Sequence, residues 1–158
     1  MSAAVETVSG LCAACGVPLD SQYFDDSSVQ TVPRHDDKMD VGQEIILARF
    51  DMPAQYCGVL QYFAQFTDDF AIHPEKIGTP AIEWKLLVNN HALFPYINLR
   101  HIVNPWGSGS YPVNIRLDES STIELVARIV ADDPAIKSIG GRILGRFWYN
   151  PSYGGHRG

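Results

Sequence analysis

Between Tyr111 and Val130 the chain alternates apolar and polar residues twice over, and a chain that does so has few folds open to it. Val113, Ile115 and Leu117 share one parity, and Asn114 and Arg116 the other. Ile123, Leu125, Ala127 and Ile129 then oppose Thr122, Glu124 and Arg128. A period of two places each apolar set on one side of an extended strand. Between the runs stands Asp118-Glu119-Ser120-Ser121, whose short polar side chains bond back to nearby backbone and reverse the chain. The pattern predicts a β-hairpin with one buried face.

The same period recurs upstream and downstream. Ile45–Met52 sets Ile46, Ala48, Phe50 and Met52 against Arg49 and Asp51. Tyr56–Phe66 sets Gly58, Leu60, Tyr62, Ala64 and Phe66 on one face, with Val59, Gln61, Phe63 and Gln65 on a second, half-apolar one. Ile82, Trp84, Leu86 and Val88 oppose Glu83 and Lys85, and Asn89-Asn90 suits the positive-φ positions of a tight hairpin turn. A short return strand starts at His91, and Tyr96–Ile102 is a further weak strand. Ile139–Tyr149 closes the series. About seven or eight short strands and no convincing helix predict an all-β fold, an antiparallel β-sandwich of jelly-roll type.

The charge is placed unevenly. Residues 1–44 hold eight acids against Arg34 and Lys38, which accounts for the whole net charge of −6, and the rest of the chain is balanced. No sustained period runs through that acidic stretch, yet apolar residues are scattered along it. We therefore expect an extended, acidic N-terminal docking arm over 1–43, a sandwich over 44–150, and a flexible tail over 151–158. Clustered carboxylates argue against nucleic acid as a partner, because phosphate repels them. No apolar run approaches the length of about 20 residues that a membrane helix needs, and the first residues lack a signal-peptide pattern. The expectation is a soluble chain made in a cytoplasm.

The residues that carry chemistry do not converge in the sequence. Cys12 and Cys15 have the spacing with which two thiolates grip one zinc, but no second pair follows to complete a four-ligand site. Two small residues in a docking arm are the preferred reading. A redox role is disfavoured because no βαβ pattern surrounds the pair. His35, His73, His91, His101 and His156 share no ligand spacing, and the adjacent acids, such as Asp25-Asp26 and Asp132-Asp133, match no calcium loop. There is no Gly-x-Ser-x-Gly elbow and no phosphate-binding glycine loop. The expectation is a non-enzymatic protein with no cofactor.

Aromatic and aliphatic residues placed for contact are the remaining lead. Interface candidates are Leu11, Val17, Leu19, Tyr23 and Phe24 in the arm, Phe63 on the second face of its strand, and Tyr96, Trp106 and Trp148 in loops or on strand faces. Aromatic platforms also stack sugars, so a carbohydrate-binding module is the rival reading.

From about Ile45 to Tyr149 the order of segments is ARFDMPAQY, GVLQYF, IEWKLLVNN with HALFPY, PVNIRLDESSTIELVARI and a closing GGRILGRFWYN. This resembles a group of small β-sandwich proteins encoded among the structural genes of tailed bacteriophages. In that group an I-x-W-x-[LI]-x-V-N segment, an x-L-x-x-[GS]-[ST]-x-[IV]-x-L-[VE]-A segment and a G-R-[IL]-x-G-[RW] strand recur. The resemblance implies a virion component assembled in the host cytoplasm. A head decoration (cement) protein on the major capsid protein is the first choice, with a neck, tail or spike-base part as the alternative. It brings no catalytic residues, and the arm with its Cys pair lies outside it. Closed symmetry makes a trimer or ring the expected homo-oligomer.

Overall fold

The computed structural model describes residues 17–67, 81–92 and 110–150. It is all-β, and among the described residues there is no helix, hence none long and apolar enough to cross a membrane. The strands are β1 (Gln22–Thr31), β2 (Arg34–His35), β3 (Lys38–Met39), β4 (Glu44–Asp51), β5 (Tyr56–Thr67), β6 (Ile82–Val88), β7 (His91–Ala92), β8 (Ser110–Leu117), β9 (Thr122–Ile129) and β10 (Ser138–Tyr149).

Two four-stranded antiparallel sheets, β1-β10-β5-β8 and β4-β9-β6-β7, are accompanied by the small β2-β3 ribbon. With the ribbon set aside, the eight strands run first-eighth-third-sixth in one sheet and second-seventh-fourth-fifth in the other. That is the order of a jelly roll, as expected from the strand spacing.

The core lies between the sheets. Leu60, Phe63, Ile139 and Ile143 from one inner face meet Ile82, Leu86, Ile123, Leu125 and Ile129 from the other, none more than 1% exposed. Each fully buried side chain of this kind contributes roughly 1.5–3 kcal/mol relative to exposure.

Four expectations need correction. The Tyr111–Val130 segment is not a hairpin. β8 pairs with β5 in the first sheet, β9 pairs with β4 and β6 in the second, and Asp118–Ser121 arches across the sandwich. The polar tetrapeptide does reverse the chain: Ser121 N–H and Oγ both donate to the Asp118 carbonyl, at 3.3 and 2.5 Å. Its remaining groups, with Thr122 that follows it, tie one end of the sandwich together. Gln55 N–H donates to the Glu119 carboxylate at 2.8 Å, Met52 N–H to the Ser121 carbonyl at 2.8 Å, and Thr122 N–H to Asn89 Oδ1 at 2.9 Å. Asn89 and Asn90 adopt the expected positive φ, 52° and 65°, and His91 pairs back onto Val88.

The second correction concerns the arm. Gln22–Thr31 is β1, hydrogen-bonded along its full length to β10, so the sandwich starts 22 residues before its expected boundary at residue 44. Only Phe24 of its ten residues is fully buried, which is why no apolar period announces the strand.

The third and fourth corrections are two β-bulges, each of which inserts a residue and switches the face that follows. On β4, Ile46 pairs with Val126 and Ala48 with Leu125, leaving Leu47 as the extra residue. Ile45 and Leu47 therefore point inward along with Ala48 and Met52, while Ile46 is 48% exposed. On β5, Leu60 pairs with Gly145 and Tyr62 with Leu144, leaving Gln61 as the extra residue. The inward set passes from Leu60 to Phe63, and Tyr62 turns outward.

The bulge on β4 exposes carbonyls along its free edge, and β1 covers them. Ser28 Oγ donates to the Leu47 carbonyl at 2.5 Å, Gln30 Nε2 to the Ile46 carbonyl at 2.9 Å, and Arg49 N–H to Asp26 Oδ2 at 2.8 Å. These bonds close the seam between the edges of the two sheets, and an edge so satisfied is no template for strand addition.

Candidate functional site

The register of the first sheet lays out its outer face in rows. Tyr23, Arg146, Val59 and Arg116 form one row across β1-β10-β5-β8. Asp25, Leu144 and Tyr62 form the next, and Ser27, Arg142 and Ala64 the one after. The Arg146 guanidinium lies over the Tyr23 ring, 4.7 Å from its centre, while its Nη2 donates to the Ser21 carbonyl at 3.4 Å. Arg142 grips Asp25 through two bonds, Nε at 2.8 Å and Nη2 at 2.5 Å. Tyr23 is 66% exposed, Val29 64% and Tyr62 44%. The second sheet is different: Glu124 and Val126, which point outward on β9, are 5% and 2% exposed.

At one end of the first face, Val17, Cys57, Gly58, Val59, Asn114, Arg116, Trp148 and Asn150 surround a cavity of about 330 Å3. Cys57 is a free, buried thiol that accepts from Asn150 Nδ2 at 3.6 Å. Burial pushes its pKa above the ordinary thiol value, and the Asn150 amide only partly offsets this. A thiol so held is a poor nucleophile at neutral pH. Iodoacetamide followed by peptide mapping should leave Cys57 unmodified in the native chain and label it fully in denaturant; prompt native labelling would contradict the buried placement.

The Arg142 guanidinium, hydrogen-bonded to Asp25, holds that carboxyl below its ordinary value of 3.8. A carboxylate depressed on folding stabilises the fold above its unfolded value and ceases to do so as the pH falls through its folded value. Acid should therefore weaken the hold of β1 on β10. Both side chains remain about half exposed, so the effect is small. Urea midpoints measured from pH 6 down to pH 3 should fall less steeply in Asp25→Asn than in the parent chain.

The expected interface residues separate into three groups. Leu11, Tyr96 and Trp106 lie outside the described residues, as do Cys12 and Cys15, and with them His73, His101 and His156. Val17, Phe24 and Phe63 are 5%, 4% and 1% exposed and serve this chain's own packing. Leu19 at 57% and Tyr23 are open to solvent, and Trp148 is half-buried at the cavity. Among the described residues no group of three or more His, Cys, Asp or Glu side chains is placed to hold a metal ion. His35 and Asp36 stand 3.5 Å apart at the tip of the β2-β3 ribbon, both side chains open to solvent.

Sequence reasoning missed Tyr62, Leu144 and Arg146 as surface groups of one patch. A signal was present: both parities of Tyr56–Phe66 carry apolar residues, which is how a strand that changes face midway reads.

No family model matches the chain, and no curated protein matches it. Among solved structures it is similar to that of infectious bursal disease virus, Gx strain, at 12% identity and a TM-score of 0.42, over 88% of this chain and 33% of that one. It is also similar to dimeric latent PorU from Porphyromonas gingivalis, at 10% identity and a TM-score of 0.27, over 87% of this chain and 14% of that one. The chain thus spans about a third of the first of these and less of the second. At scores this low, function is read from the chain's own strand order and surfaces.

Proposed function

We infer that the chain is a non-enzymatic virion structural protein of a tailed bacteriophage, a capsid decoration (cement) protein that binds the major capsid protein and self-associates in closed symmetry. The observation that supports this most is the exposed Tyr23 and Tyr62, with Val29, on an outer sheet face interleaved with arginines; tyrosine and arginine are residue types that interfaces favour. The segments whose motifs resemble those of phage structural proteins fall on β6, on the β8-β9 arch and on β10, all of them framework elements of the jelly roll. Jelly rolls serve capsid and lectin proteins alike, so the surface and not the fold selects between them.

The docking arm of this reading is residues 1–16 together with exposed Leu19, since β1 belongs to the sandwich. Purified particles of the virus that encodes the chain should hold it in a fixed ratio to the major capsid protein. A chain lacking residues 1–16 should fold with an unchanged thermal transition and no longer attach. A truncated chain that decorates particles normally would remove the arm from the mechanism, and particles devoid of the full chain would remove the virion reading. Glycan binding that is lost in Trp148→Ala would favour the carbohydrate-binding alternative.

A further inference from the structure

We propose that the outer face of the β1-β10-β5-β8 sheet receives a second copy of the same chain, face to face about a twofold axis. The inference rests on the self-association in the proposed function and adds to it the surface and the symmetry. Tyr23, Tyr62, Leu144 and Val29 lie on one side of one sheet, and Tyr23, Val29 and Tyr62 are exposed large apolar residues among the described ones. The residues lie in successive rows over a surface and not around a cleft, a spread that suits a broad partner surface better than a small ligand.

Area and charge both point to a second copy. Four strands at about 4.8 Å spacing and about 35 Å of strand length give a face of roughly 650 Å2, so two copies would bury roughly 1,300 Å2, within the range of specific interfaces. The named charges on this face are Arg116, Arg142 and Arg146 against Asp25 and Asp118, a net of one positive charge. Asp25 is paired with Arg142, Arg116 with Asp118, and Arg146 rests on Tyr23. With two of the three arginines paired to carboxylates, a strongly acidic or basic partner would find little to complement, whereas an identical face adds only a small like charge. The acidic tip of the β2-β3 ribbon, Asp36-Asp37, belongs to a separate ribbon and not to this sheet. Twisted sheets stack face to face at about −30°, so two such faces can align without distortion. A contact of this kind closes at two copies, which narrows the trimer or ring of the functional reading to an even-numbered assembly.

The test is sedimentation equilibrium of the full chain over a micromolar series, with Tyr62→Glu and, independently, Val29→Lys. Both positions are exposed, so the variants should keep the parent's thermal transition, and either one serves if the other fails to fold. The parent should dimerise, and Tyr62→Glu should weaken the dimer by about thirtyfold, the effect of losing a tyrosine anchor. A parent chain that stays single throughout, or folded variants that associate as the parent does, would overturn the proposal. A parent that dimerises through this face but never attaches to particles would keep the surface and remove the virion reading. A chain that decorates particles as single copies would do the reverse.

Discussion

Phe24→Ala is expected to lower the stability of the whole sandwich by about 3–5 kcal/mol, read as a drop in the urea midpoint at constant slope. Phe24 is 4% exposed and stacks on Phe50 of β4, ring centres 4.1 Å apart and planes 5° from parallel. Its ring also lies against Gly145 of β10, where a Cβ would run into that ring and into the Val59 carbonyl. One side chain thus joins the edge of the first sheet to the edge of the second. If residues 1–43 were a separate arm, Phe24→Ala would leave the body untouched and change only attachment. For the same reason a chain lacking residues 1–40 should fail to fold cooperatively, because it loses β1 and with it the side chains that satisfy the free edge of β4.

The second large effect separates two neighbours. Phe63→Ala should cost about 3–5 kcal/mol, while Tyr62→Ala should cost at most about 1 kcal/mol. Phe63 is 1% exposed in the core, whereas Tyr62 is 44% exposed and pairs across the strand with Leu144 on the outer face. An unbroken alternation from Gly58 to Phe66 assigns these roles the other way round. The pair of midpoints therefore reads out the Gln61 bulge directly, and equal or reversed costs would mean a strand without it.

These two predictions locate where sequence reading succeeds and where it stops. The strands β4, β5, β6, β9 and β10 are legible because a half-buried strand must alternate. The Asn89-Asn90 turn is legible because two successive positive φ values are tolerated by few residues other than asparagine and glycine. β1 is not legible, since nine of its ten residues are at least partly exposed and its hold on the sandwich comes from backbone pairing with β10 and polar bonds to β4. The positions of the bulges are not legible either, although the apolar residues on both parities of Tyr56–Phe66 hint at a change of face. An inserted residue changes which face follows without changing composition, and here it changed the roles of Ile46, Tyr62 and Phe63. The candidate site suffered most, because a surface patch is defined by which way side chains point.

The residues by themselves determine that this chain makes short extended strands with one greasy side, that it reverses at the Asp118–Ser121 and Asn89-Asn90 positions, and that its negative charge sits in its first part. Which sheet each strand joins is decided only by the assembled sandwich. An apolar face can be covered equally well by a neighbour in the same sheet or by the sheet opposite, so the local pattern of Tyr111–Val130 is the same for a hairpin and for an arch. Long-range pairing of β8 with β5 and of β9 with β4 and β6 makes it an arch.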